Sequence, residues 1–314
     1  MNSNYFPENP GAWRYGWAPA AVLKVVGEDA LAFLQGQFSQ DLLKPAGPSR
    51  VAYGLWLNHK GRILADSFVL VAGPAEVWVV SYFSAGEGIR KHLESHIIAD
   101  DVTVEDITEA WSGLAVGGPG VTEWLQELAG ERIVSLPPPG GFVRVGAGFV
   151  FRGRRDGGVC WEWVAPVSEA LPNVAGQQAF HSMALELSRL SAGVPAVPMD
   201  LGPGDLPTEG GLDQVAVSYT KGCYLGQEVM ARLRTGKTRR RLYRVAGDGL
   251  PPEGRPTLLY QSARRVGELR SAASDGKGGW VGLAMLTLLG LDSAVLLTAA
   301  PGAAAPAIRL LDVP

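Results

Sequence analysis

The chain has 314 residues, enough for two or three domains that each bury a core. Its composition, 46% hydrophobic and 19% charged, is globular, and no window reaches the roughly 20 consecutive apolar residues of a transmembrane helix. Because the formal net charge is -3, the protein as a whole does not attract nucleic acid electrostatically. Two cysteines cannot form the disulfide framework of a secreted module, and no signal peptide is visible, so we expect a cytoplasmic protein with free thiols.

The first third of the chain predicts an α+β unit. "AVLKVV" is typical of a strand, and "EDALAFLQG" predicts a helix that places Phe33 and Leu34 on one face. β-Branched and aromatic residues predict strands in "RVAYGLWLN", "RILADSFVLV" and "EVWVVSY", with Gly61 in the turn between the first two. A helix over about residues 86–98 and the strand "VTVED" complete the unit. Residues 2–17 are expected to form a poorly ordered lead-in.

The same pattern then repeats. Strands are predicted in "WSGLAVGG", "FVRVGAGFVFRG" and "VCWEWVAP", and helices in "VTEWLQELAG" and over residues 178–190. The residues expected on the apolar faces of these two helices are Val121, Trp124, Leu125 and Leu128 in the first, and Phe180, Met183, Ala184, Leu187 and Leu190 in the second.

Six short segments between Gly and Pro turns predict a small antiparallel barrel at the C-terminus: "LYRVA", "TLLY", "RVGELRSA", "WVGLAML", "AVLLTAA" and "AIRLLDV". We therefore expect an α+β protein with a first lobe over residues 1–110, a second over 111–238 and a barrel over 239–314. The first two lobes are expected to be similar antiparallel-sheet units, with interleaving between them left open.

The stretch "KGCYLGQE" places Cys223 between two glycines, directly after Lys221 and Gly222. Free cysteines are most often small buried hydrophobic residues. Glycines on both sides, however, allow another group to approach the sulfur, and nearby cations favour the thiolate. Cys223 could therefore be a nucleophile, a redox site or a metal ligand, and the sequence leaves these three alternatives open. One thiolate cannot by itself hold an iron-sulfur cluster or a structural zinc. The context of Cys160, "VCWEWV", predicts a buried strand residue.

A basic run follows the cysteine motif. Seven of the thirteen residues from Arg232 to Arg244 are Lys or Arg, and none is acidic. Such a run is either a solvated face or an anion site for ligand carboxylates or RNA phosphates, and the sequence favours neither.

The region "LPTEGGLDQVAVSYTKGCYLGQEVMARLRTGKTRRRLYRV" resembles the signature of the YgfZ family, folate-binding proteins related to the T-protein of the glycine cleavage system, an aminomethyltransferase, and to a mitochondrial iron-sulfur assembly factor. The motif K-G-C-Y-x-G-Q-E is matched without a gap. "VVGEDALAFLQGQFSQDL", "LNHKGRILADSFVL" and "VGELRSAASDGKGGWVGLAML" resemble other parts of that family, in the same order, so the resemblance covers nearly the whole chain.

The resemblance implies two ferredoxin-like lobes and a barrel in a cloverleaf around a central channel that accepts tetrahydrofolate. It further implies a role in assembling or maintaining iron-sulfur clusters, with iron-sulfur proteins as partners, transient contact with a cluster, and thereby a link to tRNA modification. The residues it assigns to the motif are Lys221, Gly222, Cys223, Tyr224, Gly226, Gln227 and Glu228, and those it assigns to folate binding are Glu209, Lys221, Ser191 and Arg232.

Two positions depart from the aminomethyltransferases. "GRILADS" has one carboxylate, Asp66, where those enzymes have adjacent acids, and "RLSAG" has Ser191 in place of a glutamate. A hydroxyl cannot accept the two-pronged hydrogen bond that a carboxylate accepts. The leading hypothesis is therefore a folate-binding accessory factor that uses Cys223. One alternative is a folate-dependent transferase with Asp66 as its acid, and another is an RNA-binding module that uses Arg232–Arg244.

Overall fold

The structure is a computed structural model that describes residues 13–44, 49–123, 125, 136–169, 178–179, 182–234, 236, 238–302 and 307–311. These residues form three β-sheets and five α-helices. The strands are β1 (Trp13–Trp17), β2 (Ala21–Val26), β3 (Arg50–Leu57), β4 (Ile63–Gly73), β5 (Glu76–Ser81), β6 (Thr103–Asp106), β7 (Trp111–Gly117), β8 (Phe142–Val145), β9 (Gly148–Arg152), β10 (Cys160–Pro166), β11 (Gln178–Ala179), β12 (Arg240–Asp248), β13 (Thr257–Gln261), β14 (Arg264–Ser274), β15 (Gly279–Thr287) and β16 (Ile308–Leu310). The helices are α1 (Ala30–Gln37), α2 (Gly86–Glu94), α3 (Ser182–Ser191), α4 (Asp213–Ala216) and α5 (Gln227–Leu233).

The N-terminal sheet has the order β3-β4-β5-β2-β6, and its paired strands are antiparallel. Helices α1 and α2 cover one face, where Phe33 and Leu34 of α1 and Ile89 and Leu93 of α2 are buried in one apolar cluster. Gly61 has a φ of 68°, a left-handed conformation that glycine adopts without strain, in the β3–β4 turn. The predicted strands and first helix of this unit are confirmed, and α2 ends at Glu94, a turn earlier than expected.

The middle sheet has the order β11-β1-β7-β10-β9-β8. Its first strand corrects the expected disordered lead-in, because Trp13–Trp17 pairs antiparallel with β7 and parallel with β11. The indole of Trp13 is buried and lies over Gly117, where a Cβ atom would stand 2.3 Å from the ring. The N-terminal strand thus belongs to the sheet of the second predicted lobe.

The N-terminal and middle sheets are joined by an aromatic cluster. Trp78 of β5 lies 5.2 Å from Trp111 and 5.0 Å from Phe149, and Phe68 of β4 lies 5.1 Å from Phe151, between ring centroids. Because aromatic side chains bury large apolar areas and interlock at these distances, the two sheets form one packed unit.

The C-terminal sheet, of order β13-β14-β15-β12-β16, is antiparallel and curled. The segment "AVLLTAA" was predicted as a strand but is mostly turn, with Leu297 and Thr298 each forming an isolated bridge, to Ile308 and Tyr260 respectively. The sheet is therefore a curled half-barrel, and the closed barrel that the sequence predicted is not confirmed.

Helix α3 packs on the C-terminal sheet, where Leu190 meets Val281 and Leu283. The prediction of a helix over residues 178–190 was wrong at its start, because Gln178–Ala179 forms β11. The predicted face was wrong in part, because Met183 is exposed and Leu185 and Arg189 are buried, whereas Leu190 is buried as predicted and Leu187 packs against the same cluster. Residues predicted as core that lie outside the described ones are Trp124, Leu128 and Phe180. No helix in the described residues is long and apolar enough to cross a membrane.

Candidate functional site

The loop before α5 that carries the cysteine motif is fixed to the C-terminal end of α1 by a buried lysine. The ammonium of Lys221 donates to the backbone carbonyls of Gln35 (2.6 Å), Phe38 (2.7 Å) and Gln40 (3.0 Å). Burial lowers the pKa of Lys221 to about 8, against a weaker opposite effect of Asp41. Since an ammonium has three donors and all three are used on carbonyls, Lys221 serves to hold the loop.

The two glycines of the motif have different roles. Gly226 has a φ of 86°, and a Cβ atom there would stand 2.8 Å from the carbonyl oxygen of Asn58 in the β3–β4 turn. Nothing lies within 4 Å of a Cβ built on Gly222. Gly226 therefore permits close packing of the loop on the N-terminal sheet, whereas Gly222 leaves open space beside Cys223.

The two cysteines lie in opposite environments. Cys223 is exposed, although its neighbour Tyr224 is buried with Leu55 and Leu57. Cys160 is buried in β10, and burial raises the pKa of its thiol to about 12, as does nearby Glu162 to a smaller extent. Cys160 is thus an inert core residue, and Cys223 is the thiol that solvent and a partner can reach. In the described part of the chain, no group of three or more His, Cys, Asp or Glu is placed to hold a metal ion.

A cavity of about 480 Å³, the central cavity, lies where the three sheets meet. Tyr53 and Asp66 come from the N-terminal sheet, Tyr15 from the middle sheet and Ala272 from the C-terminal sheet, and α3 forms one side. Its size is within the range of pockets that bind small molecules, about 300–1,000 Å³. Residues 221–228 do not line this cavity, so the structure does not bring Cys223 to its wall.

Asp66 is buried at this cavity and held by two hydroxyl groups. Its carboxylate accepts hydrogen bonds from Tyr53 (2.8 Å) and Ser84 (2.7 Å). Burial raises the pKa of Asp66, and the bonds from Ser84 and Tyr53 and the charge of Arg154 oppose that rise. A carboxyl group with a raised pKa in a cavity can accept or donate a proton toward a bound ligand.

The arginines of the central cavity differ in their partners. Arg155 is paired with Glu162 (2.9 Å), and Arg189 is paired with Asp200 and Glu186 (2.5 Å each). Arg154 forms no salt bridge among the described residues, but its charge acts on Asp66 and its guanidinium carbon lies 4.2 Å from the ring centroid of Tyr53. Arg154 was not predicted as a site residue, and its one signal in the sequence is the arginine-rich stretch "FRGRRD" at the end of a predicted strand.

The other predicted site residues are dispersed. Ser191 is buried at the end of α3, where its hydroxyl has no hydrogen-bond partner in the described structure. Glu209 accepts two hydrogen bonds from Arg240, at 2.9 and 3.1 Å, and one from the backbone of Leu206. Arg232 pairs with Glu228 on the exposed side of α5. None of these residues lines the central cavity.

Two arginines of the basic run are engaged within the protein. Arg240 joins Glu209 and Asp205, and Arg244 donates to the carbonyl of Ser191 at 2.5 Å. Arg234 lies 5.1 Å from the ring centroid of Tyr219. Lys237 lies outside the described residues. Arg240 and Arg244 therefore join the middle of the chain to the C-terminal sheet, whereas Arg232, Arg234, Arg239 and Arg241 are exposed.

Three sheets, antiparallel except for the β1–β11 pair, enclose a ligand-sized cavity, and this arrangement is that of the aminomethyltransferase fold class. The family model described as the GCVT N-terminal domain matches residues 19–137. The crystal structure of glycine cleavage system aminomethyltransferase T from Bartonella henselae superposes with a TM-score of 0.80 at 16% identity, covering 98% of this chain and 86% of that one. This structural similarity shows that the chain has the same fold as that aminomethyltransferase.

Sequence relatives narrow the class further. Iron-sulfur cluster assembly factor IBA57, mitochondrial, of Homo sapiens is 33% identical over 292 residues, which cover 84% of this chain and 74% of that protein. The Mus musculus factor of the same name is 29% identical, over 85% of this chain and 75% of its own length. The chain belongs to the YgfZ family, to which these IBA57 proteins are related. Their names place the relatives in mitochondria, whereas a cytoplasmic location stays a prediction for this chain.

Gly226→Ala is expected to lower the free energy of unfolding by about 2–4 kcal/mol, because alanine is strained at a positive φ and its methyl group would press on the Asn58 carbonyl. Gly222→Ala is the matched control in the same loop and should change stability by no more than about 0.5 kcal/mol. Urea denaturation followed by tryptophan fluorescence measures both. Equal effects of the two substitutions would contradict the different roles of the two glycines.

Asp66→Asn is expected to raise the free energy of unfolding at pH 7. Because the pKa of Asp66 is higher in the folded than in the unfolded state, folding at pH 7 carries the cost of a buried carboxylate. That cost disappears as the pH falls through the pKa of Asp66 in the folded state and then through its pKa in the unfolded state. The difference in free energy of unfolding between the variant and the wild-type protein should therefore shrink toward pH 4. Denaturation curves across this pH range test it, with exposed Asp100→Asn as the control. A pH-independent difference would refute the assignment.

Proposed function

We propose that this protein is an accessory factor in iron-sulfur cluster assembly that binds a reduced folate in the central cavity and presents Cys223 to a partner protein. The observation that carries the proposal is the exposed thiol of Cys223, on a loop whose neighbouring side chains Lys221 and Tyr224 are buried. The similarity over most of both chains to proteins named as iron-sulfur cluster assembly factors supports the cluster role.

The residues of the central cavity fit a folate. Tyr53, Tyr82 and Phe83 offer aromatic faces for a flat ring system, and the Asp66 carboxylate can accept hydrogen bonds from ring N–H groups. Arg154, which lies over the ring of Tyr53 and close enough to Asp66 to affect its pKa, is a cation of the cavity that suits the negative end of the ligand. When bound, a tetrahydrofolate supplies nitrogen atoms that carry one-carbon units. Ser191, Glu209, Lys221 and Arg232, expected as folate contacts, stay predictions, and the present partners of Glu209 and Lys221 favour structural roles for those two.

Cys223 can supply one thiolate to a cluster. An iron-sulfur cluster takes four protein ligands, and no further group of metal-ligating side chains is assembled in the described residues. The other ligands would therefore come from the partner protein, so the cluster would lie at the surface between the two proteins. Exposure of the sulfur on a fixed loop is what such shared ligation requires.

Cys223→Ala should abolish the ability of the gene to restore cluster-containing enzymes in a deletion strain, because it removes the proposed ligand without disturbing buried contacts. Cys160→Ala is the matched control and should restore these enzymes, since its thiol is buried in β10. The readouts are the activity of a cluster-containing dehydratase and the cellular amount of each variant. Full restoration by Cys223→Ala would remove the thiol from the function.

One-carbon transfer is a second candidate, and the position of Asp66 favours it. This buried carboxyl group with a raised pKa lies in the proposed folate cavity, where it could act as a general acid. An S-aminomethyl donor and tetrahydrofolate should then yield methylene-tetrahydrofolate, with ammonia and the donor's free thiol released, and Asp66→Asn should lower the rate by a factor of about 100 or more. Absence of turnover in the wild-type protein, with folate bound, would exclude the transferase and leave the accessory role.

A further inference from the structure

An exposed apolar loop, residues 288–296, follows β15 at one end of the C-terminal sheet. Four of its side chains are large, apolar and in contact with water: Leu288, Leu289, Val295 and Leu296, with exposed fractions of 38, 79, 42 and 50%. Exposed leucines that are scattered singly over a surface are normal, whereas a group of them on one short loop indicates a contact surface.

The backbone of the apolar loop is fixed by side chains of the C-terminal sheet. Gln261, buried at the end of β13, donates to the carbonyls of Asp292 (2.6 Å) and Val295 (2.9 Å). It also accepts a hydrogen bond from the backbone N–H of Asp292 (3.1 Å). Arg264 donates to the carbonyl of Leu289. Because the loop is already ordered, a partner that binds its leucines loses little conformational entropy in doing so.

Two arginines of the basic run border the apolar loop. Leu288 donates its backbone N–H to the carbonyl of Arg239 (2.9 Å), and Arg241 pairs in register with Leu286 on β15. Arg239 and Arg241 are exposed and form no salt bridge with any residue that the structure describes, although the guanidinium of Arg241 lies 5.8 Å from the ring centroid of Tyr243. Both cations can therefore receive a carboxylate from outside.

The other charges near the loop leave an excess of positive charge. Arg264 bonds to backbone carbonyls, which do not neutralise it. Arg265 is compensated by Glu268, at 3.4 Å. The acid of the loop itself is Asp292, whose carboxylate accepts a hydrogen bond from a backbone N–H two residues later (2.9 Å). The surface is thus apolar at its centre and basic at its border.

Helix α5 joins this surface to the cysteine motif. Met230 of α5 is buried in one cluster with Met285 of β15, and Leu233 and Leu242 pack against that cluster. The helix begins directly after Gly226 and spans about 10 Å, and the chain then leads into β12. The cysteine loop and the apolar loop therefore belong to one packed part of the molecule.

We propose that the apolar loop, with Arg239 and Arg241, is the docking surface for the partner protein, and that the partner's contacting segment carries apolar side chains bordered by carboxylates. This inference rests on the proposed function and adds the place and the chemistry of partner binding. Apolar contacts at the centre and complementary charges at the rim are typical of protein interfaces. The loop has no aromatic side chain on which a nucleic-acid base could stack, so a protein fits this surface better than RNA does.

Leu289→Glu/Arg239→Glu should lower the dehydratase activity that the gene restores in the deletion strain by at least about fivefold, because the new carboxylates repel an acidic segment and remove an apolar contact. Arg239→Lys should restore wild-type activity, since it keeps the positive charge. The cellular amount of each variant, its thermal melting curve and its affinity for tetrahydrofolate should be unchanged, because both altered side chains are exposed and distant from the central cavity lining.

The matched control is Leu250→Glu/Lys277→Glu at the opposite end of the same sheet, where both residues are exposed and the charge changes equally. It should restore the dehydratase fully. Full restoration by Leu289→Glu/Arg239→Glu, while Cys223→Ala fails to restore, would overturn the docking surface and leave the proposed function intact. Full restoration by both would overturn the proposed function as well.

Photocrosslinking in cells, with benzoylphenylalanine introduced in place of Leu289 in the full chain, identifies the occupant. We expect an adduct with a segment of another protein that is rich in acidic and apolar residues, and we expect Arg239→Glu to abolish it. An adduct with a second copy of this chain or with a lipid, or no adduct at all, would overturn the assignment.

Discussion

The buried ammonium of Lys221 is the interaction on which the arrangement of the site depends. Removing a charged group from water is costly unless hydrogen bonds replace its hydration, and here three backbone carbonyls at the end of α1 do so. The loop cannot move away without leaving that charge or those carbonyls unpaired. Because Lys221 and Tyr224 point inward, Cys223 between them is left at the surface. A rigid support below a reachable thiol is the physical result.

The buried charges around the central cavity are also stabilised by partners within the protein. Arg155 and Arg189 are paired with carboxylates, which fixes the walls, while Asp66 and Arg154 form no salt bridge among the described residues and act on each other through their charges. Tyr53 contacts both of these groups, through its hydroxyl and through its ring. A single side chain therefore sets the spacing between an acid and a cation in a place that all three sheets enclose.

Local patterns in the sequence predicted much of the fold. The β-branched and aromatic residues of "AVLKVV" and "VCWEWVAP" predict strands, which are buried at nearly every position, and the helical spacing around Phe33 predicts a helix that is buried on one face; neighbouring residues encode both. Strand β1 was missed because its partners are β7 and β11, so its order arises from residues far along the chain. The start of α3 was misplaced for a similar reason, since residues 178–179 pair with β1 instead of beginning the helix.

The site was harder to predict than the fold. The motif identified the cysteine loop. The sequence does not indicate, however, whether the ammonium of Lys221 faces the sulfur of Cys223 or the interior of the protein. Likewise, the sequence left open whether the run from Arg232 to Arg244 is a solvated face or an anion site, whereas in the structure Asp205 and Glu209 engage Arg240. Arg154 had no distinguishing neighbour in sequence, because its importance comes from Tyr53 on another sheet. Side-chain direction and long-range pairing, which periodicity does not encode, account for these differences.

Strand β1 also has a consequence for how the protein is made. It leaves the ribosome before the other strands, yet the edges that it joins are synthesised only when β7 and β11 have followed. Until then the indole of Trp13 has no Gly117 to cover and stays in contact with water or with a chaperone. A nascent chain can complete its first sheet and both of that sheet's helices early, but it can close the middle sheet only after more than half of its length has been translated.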